Sequence, residues 1–448
     1  MNPPSTSAAV RRVVLASFIG TTIEWYDFYL YGTAAALIFD KLFFPNIDPR
    51  AGTMAAFATY AVGFFARPLG GIIFGHLGDR VGRRSMLVTT LIMMGVATFL
   101  IGLLPTYEQA GALAPVLLVT LRFVQGLGVG GEWGGAVLMA VEHGTAARRG
   151  FRASWVQAGV PAGLLLATIV FKLASSMPEK EFLAWGWRVP FLLGIVLLGI
   201  GLFIRLAILE SPVFLAMKAA QAAQPTNATT PAHTPLLTAL TQYPRSILLA
   251  CGARFGENAS FYIFTVFILT YATKQLGFEK STILNGVLLG SVAQFIALPL
   301  FGALSDHCGR RPIYLGGAIF LVLFAFPFFW LVETRSTAAL WLAIAIGLVG
   351  HSAMYGPQAA FFSELFGTNA RYSGASLGYQ LASPLAGGLA PLIATALLQW
   401  SDGQPWPIAV YLIFMAAITI VSVWFAAETH RLDLSTPADG AAPNSPPR

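Results

Sequence analysis

Seven ionisable side chains fall well inside long apolar runs: Glu24, Asp27, Arg67, Arg122, Glu132, Arg254 and Glu257. A charge at the centre of a bilayer costs roughly 2.5–3.5 kcal/mol even on the lenient insertion scale. Groups kept there point to proton carriage, ion pairing or recognition of a charged solute. Glu24 and Asp27 are three apart, with Tyr31 four further on, so one helix face presents two carboxyls and a phenol, and Tyr26 beside them is a candidate solute contact. Arg122 and Gln125 share a face, and Glu132 follows by seven among Gly130, Gly131, Gly134 and Gly135. Its role is open between packing and function. Four acids against three arginines leave one negative charge, which one protonated carboxyl would neutralise.

Arg254, Glu257, Asn258, Phe261 and Tyr262 form one continuous stripe at helical spacing. A guanidinium fork with an amide and a phenol suits a carboxylate solute. The competing reading is that Arg254 and Glu257 neutralise one another. Tyr379, Gln380 and Ser383, with Gln157 from another run, are candidate cavity-lining residues, while Trp133 and Trp25 either wall the cavity or face lipid. His351 shares a face with Tyr355 and Gln358. It could sense protons, although a hydrogen-bonded packing role is preferred.

Only helices can position such groups. Of 448 residues 56% are apolar and 10% charged, well below the charge of a soluble domain. The apolar runs are long and do not alternate, which excludes a barrel. Twelve are expected, at 13–39, 53–77, 85–104, 114–141, 153–174, 187–209, 246–272, 282–304, 313–332, 338–362, 373–399 and 406–427. The first run, with Glu24 and Asp27 and no small-residue cleavage site, does not read as a signal peptide. The two cysteines, Cys251 and Cys308, have no partners at metal-ligand spacing, so neither a disulfide framework nor a metal is expected. No Gly-rich loop ending in Lys-Ser/Thr is present, and Gly126–Gly131, inside a run, reads as close helix packing rather than a nucleotide fingerprint.

Twelve spans put both termini on one side, and fifteen of the 27 basic residues fall on that side against eight opposite. The positive-inside bias places the termini in the cytoplasm and makes the +7 charge a topology signal rather than a nucleic-acid footprint. The chain divides into a first bundle at 1–209, a polar linker at 210–245, a second bundle at 246–427 and a short tail at 428–448. Internal symmetry supports the division. Gly75, Asp79, Gly82, Arg83 and Arg84 recur 227 positions later as Gly302, Asp306, Gly309, Arg310 and Arg311. Gln157 and Pro161 recur 223 later as Gln380 and Pro384, and Glu24, Phe28 and Tyr29 recur 233 later as Glu257, Phe261 and Tyr262. Parallel halves of this kind place a site between them near midplane.

The segment Gly75-His-Leu-Gly-Asp-Arg-Val-Gly-Arg-Arg84 resembles the loop signature of the major facilitator superfamily. The resemblance narrows with Glu24-Trp-Tyr-Asp-Phe-Tyr-Leu-Tyr-Gly32, Phe65-Ala-Arg-Pro-Leu-Gly-Gly71, the run from Arg122 to Gly135, and Glu210-Ser-Pro-Val-Phe214. These are similar to the metabolite:proton symporter family, whose members carry shikimate, citrate, 2-oxoglutarate, proline or betaine. It implies an all-α membrane protein of twelve helices in two pseudo-symmetric six-helix bundles. It further implies a conformational latch on the cytoplasmic side, built on Asp79 and Arg83 with Arg80. The second copy, Asp306 and Arg310, departs from the pattern through His307 and Cys308. Glu142 and Glu364, which precede Arg148 and Arg371, are expected to form ion pairs between the halves around the latch. In similar carriers a first-helix carboxylate pairs with a fourth-helix arginine to couple protons; Asp27 with Arg122 is the nearest match, Glu24 the alternative. A static salt bridge is the competing reading.

The expected function is proton-driven symport of a small organic acid across the cytoplasmic (inner) membrane, by a monomer whose only coupling agent is the proton, with no other cofactor. The alternative solute is a zwitterionic osmolyte such as proline or betaine. The Pro-, Ala- and Ser-rich tail, which cannot form coiled-coil heptads, counts against it. A receptor or sensor is the alternative of another class; an enzyme is disfavoured because no nucleophile–base or metal set lies near a membrane face.

Overall fold

The computed structural model describes residues 7–81, 83–131, 133–142, 146–206, 235–367 and 371–432. Nearly all of it is helix, in twelve rods. In the first half these are α1 (Ser7–Leu37), α2 (Pro49–Val81), α3 (Arg83–Gly102), α4 (Leu113–Gly130, continued by Trp133–Glu142), α5 (Arg149–Ala174) and α6 (Glu179–Ile204). In the second they are α7 (Pro244–Tyr262, continued through Ile263–Phe267 to Ile268–Lys274), α8 (Lys280–Cys308), α9 (Arg310–Glu333) and α10 (Thr337–Glu364). The last two are α11 (Arg371–Ala382, continued through Ser383–Gly388 to Ala390–Trp400) and α12 (Trp406–Phe425). Among the described residues nine helices are long and apolar enough to cross a membrane, and Val88–Gly102 in α3 is a shorter apolar helix. The others, α1 and α7, hold Glu24, Asp27, Arg254 and Glu257. The charges that make these two the poorest membrane spans are the ones that give them chemistry.

Each half is a six-helix bundle, and the halves meet along a seam. Across it α5 packs against α8 and α10, and α2 packs against α11. Two of the rods facing the seam loosen into π turns, at Ile263–Phe267 in α7 and at Ser383–Gly388 in α11. The second contains the repeated Pro384; its counterpart Pro161 lies inside a continuous α5. The expected linker at 210–245 is partly outside the described residues. Its last part is ordered structure: Pro235–Gln242 is a helix packed against α11, with Ala239 buried. The tail also begins later than expected, because Thr429 is buried and Glu428 is bonded into the bundle.

Candidate functional site

In the first half, glycines let α2 and α4 cross almost in backbone contact. A Cβ at Gly70 would lie 2.0 Å from the Leu127 carbonyl oxygen, and one at Gly130 would lie 2.0 Å from that of Arg67. The Gly126 run is therefore a packing surface. The crossing carries Arg67 and Arg122 inward, and Gly63 leaves the space Arg122 fills: a Cβ there would sit 2.6 Å from its Nε. Arg122 lies over the rings of Phe28 at 4.1 Å, Tyr31 at 4.3 Å and Tyr60 at 4.8 Å. Its Nη1 donates to Gln125 Oε1 (3.1 Å), and Gln125 Nε2 donates to Thr98 Oγ1 (2.6 Å). Asp27 faces Thr98, Glu24 and Arg122. No ion pair joins Asp27 to Arg122 among the described residues; the polar path between them runs through Thr98 and Gln125, and Asp27 Oδ1 has no hydrogen-bond partner. Tyr26 and Tyr31 are satisfied within their own half, donating to Pro190 O and Thr59 Oγ1, both at 2.7 Å.

The second half is differently wired. Arg254 Nε donates to Glu257 Oε2 (3.2 Å), its Nη1 donates to Tyr379 O (2.9 Å), and its guanidinium lies 3.3 Å from the centre of the Tyr379 ring. Glu257 is also met by His351 Nε2 (3.1 Å) and accepts from Gln358 Nε2 (3.1 Å). The remaining His351 nitrogen meets Gln294 Nε2 (2.8 Å), and Gln358 also donates to Tyr314 Oη (2.7 Å). Of the two readings of Arg254 and Glu257, this conformation adopts mutual neutralisation. His351 is a hydrogen-bonded core residue here.

The seam between the halves is aromatic and closed. Trp133 stacks on Tyr379 with ring centres 3.8 Å apart and donates to Gln157 Oε1 (3.2 Å), so it faces the partner half rather than lipid. Gln380 Nε2 donates to Gly130 O (3.3 Å). Phe64 meets Tyr262 at 5.2 Å, and Tyr29 meets Phe261 at 5.4 Å. Buried against these rings, Tyr29 Oη, Tyr60 Oη, Gln157 Nε2, Asn258 Nδ2 and Gln380 Oε1 have no hydrogen-bond partner. Buried polar groups are seldom left so, because each costs about 1–3 kcal/mol.

Both ends of the seam are sealed by polar contacts between halves. At the arginine end, Glu364 accepts from Arg149 (2.9 Å), from Arg310 Nη2 (3.1 Å) and from the Thr429 hydroxyl (2.6 Å). Asp306 accepts from the backbone N–H groups of Gly150 (2.7 Å) and Phe151 (2.9 Å) at the start of α5 while pairing with Arg310 (2.8 Å). Burial pushes the Glu428 carboxyl up, but the N–H groups of Arg310, Arg311, His430 and Thr429 outweigh that and hold it below the usual glutamate range. At the lysine end, Lys274 pairs with Asp40 and donates to Thr53 Oγ1 (2.7 Å), and Lys172 donates to Asn285 (2.5 Å). Glu179 there is held below the usual range by its hydrogen bond from Lys41.

The cross-half partner of Glu364 is Arg149, one residue beyond the expected Arg148, which is exposed. The start of α5 turns Arg149 inward. Arg371 is buried and donates to Phe366 O (3.3 Å) rather than pairing with Glu364. Glu132, and the side chains of Asp79, Arg80, Arg83 and Glu142, lie outside the described residues. Sequence reasoning did not single out Thr98, Gln294, Tyr314 or the lysine-end pair. Gln294 stands out only as one of two amides, with Asn285, in an apolar run, and nothing in the sequence links Asp40 to Lys274.

Twelve rods in two sealed bundles, with charge buried between them, define a multi-pass membrane transporter of the major facilitator class and not an enzyme. The chain belongs to the sugar (and other) transporter family, whose model matches residues 13–437. It is 42% identical over 424 residues to the shikimate transporter of Escherichia coli, covering 94% of this chain and 95% of that one. It is 33% identical to the E. coli proline/betaine transporter, covering 97% and 86%. Its fold matches that of the proton:xylose symporter XylE with a TM-score of 0.74 at 17% identity, covering 95% and 97% of the two chains.

Proposed function

We propose that the protein is a proton-coupled symporter that imports a small organic acid by alternating access. The observation that carries this reading is the sealing of the seam at both ends by contacts between halves, with unsatisfied polar groups enclosed between them. Arg149–Glu364 closes one end and Lys274–Asp40 the other. Breaking either set opens the seam to one side only, which is what alternating access requires. The positive-inside bias puts the arginine end in the cytoplasm. Asp27 is the proton carrier, with Glu24 and Glu132 as further acids and Arg122 as the charge that governs it through Thr98 and Gln125. The seam residues Trp133, Gln157, Asn258, Tyr262, Tyr379 and Gln380 hold the solute. The likeness to the shikimate transporter favours an acid over an osmolyte.

The test is uptake by proteoliposomes with an imposed pH gradient, acid outside. Shikimate, citrate and 2-oxoglutarate are compared with proline and betaine. One of the acids is expected to accumulate, with proton entry, and accumulation is expected to stop when the gradient is collapsed. Accumulation of proline or betaine alone would replace the acid with an osmolyte. Uptake indifferent to the gradient would end the symport reading.

A further inference from the structure

The three arginines buried at the centre differ in what they have left to give. Arg254 is saturated: Glu257, the Tyr379 carbonyl and the Tyr379 ring occupy its edge and face. Arg122 donates from Nη1 to Gln125 and lies near Asp27, over the rings of its own half; its Nε and Nη2 have no hydrogen-bond partner, but Asp27 of the same half already faces it. Arg67, 1% exposed, is held by rings, with its guanidinium carbon 4.2 Å from the centre of Phe28, 4.4 Å from Phe64 and 5.4 Å from Trp25. Stacking on rings fixes a guanidinium in position yet leaves its in-plane N–H groups without acceptors. Arg67 Nε and Nη2 have none.

Arg67 also lies toward the seam. Phe64, one of its ring neighbours, packs against Gly387 and Gly388 of the other half: a Cβ at Gly388 would lie 2.7 Å from Phe64 Cβ. A Cβ at Gly387 would fall 2.9 Å from Phe64, 2.9 Å from Tyr262 and 3.0 Å from Asn258 Nδ2. The unpartnered Asn258 amide, 3% exposed, is thus gathered against the ring that supports Arg67. Tyr60, whose hydroxyl is also unpartnered, touches both Phe64 and Tyr262, at 5.2 and 6.0 Å between ring centres. Among the described residues, unpartnered donors of both halves gather around the Phe64 ring.

We propose that Arg67, with Asn258 brought from the second half against the Phe64 ring that supports it, is the site that receives the carboxylate of the transported acid, while Arg254 serves as a structural charge. The inference rests on the organic-acid reading above. A carboxylate supplies the acceptors this donor set lacks, and because the donors come from both halves, its binding ties them together. The ring floor favours a flat or cyclic carbon skeleton behind the carboxylate.

The experiment measures binding to the purified full chain at fixed pH. The probes are shikimate, citrate and 2-oxoglutarate, each against its neutral methyl ester. Wild type is expected to prefer at least one acid over its ester. Arg67→Lys keeps a charge but loses the planar fork; it should weaken that acid about tenfold or more while shifting the ester by less than about threefold. Asn258→Asp places an anion against the same ring and should depress the acid selectively, so it decides the matter if Arg67 variants do not fold. If wild type prefers no acid, the organic-acid reading and this inference fall together. If wild type prefers an acid and folded Arg67→Lys or Asn258→Asp retains that preference, only the assignment to Arg67 fails.

Discussion

The two halves repeat the same first helix and use it differently. Glu257, Phe261 and Tyr262 on α7 answer Glu24, Phe28 and Tyr29 on α1. In the second half, the glutamate is enclosed by Arg254, His351 and Gln358, each within hydrogen-bond distance. In the first half, the charges are spread among rings: Arg67 and Arg122 lie over Phe28, and Asp27 keeps an unpartnered oxygen. A network whose charged groups are all partnered is a fixed strut, because removing any member strands the others in a low-dielectric interior, even though Gln294 Oε1 and Gln358 Oε1 at its edge have no partner. An unsaturated one costs stability and retains the capacity to bind. On the proposed reading, the second half supplies support and the first half the proton chemistry.

This contrast can be broken at its strongest point first. Asp27→Asn is expected to abolish uphill accumulation while leaving exchange of bound solute, with little loss of stability; full accumulation by that variant would remove Asp27 from coupling. Glu257→Gln is expected to do the reverse. It leaves Arg254 buried without a counter-charge, a loss of about 3–5 kcal/mol, read as a lowered melting temperature. If Asp27→Asn proved the less stable of the two, the halves would have been assigned the wrong way round.

The two ends sharpen the comparison on a smaller scale. Glu364 is fully buried and joins Arg149 to Arg310, so Glu364→Gln should unseal the arginine end. Faster thiol labelling of a cysteine placed at Ser154, with Cys251 and Cys308 replaced, would report it. Lys274 is 37% exposed, so Lys274→Ala at the other end should cost no more than about 1 kcal/mol. Comparable opening from the two substitutions would contradict the burial difference. The smallest effect concerns pH. Glu428 is depressed below its ordinary 4.5, so its contribution is full above that pH and is lost as pH falls through its lower native value. Labelling at the arginine end by an acid-active reagent such as dithiodipyridine, normalised to a free thiol at the same pH, should therefore rise only below about pH 4.5, and Glu428→Gln should remove that step.

Much of the site was legible in the residues. The intramembrane acids and arginines are visible because the other charges in the apolar runs, Lys172, Arg188 and Arg205, lie near run ends, and the stripe from Arg254 to Tyr262 follows from helical spacing. The 227-residue offset pairs Asp306 with Asp79. Partnership was not legible. Arg149 and Arg148 are adjacent, and only the turn of the chain into α5 chooses which one reaches Glu364. Gln294 meets His351 across 57 positions, and Asp40 meets Lys274 across 234, separations over which no periodicity carries information.

The sequence by itself determined that the chain is a twice-repeated set of membrane helices with charge at its centre, because hydropathy, run length and repeat spacing act locally. Which of those charges are satisfied and which remain available was decided by tertiary structure alone. Satisfaction depends on a partner within about 3.5 Å, and such partners arrive from helices far apart in the chain, brought in by glycine crossings and aromatic packing.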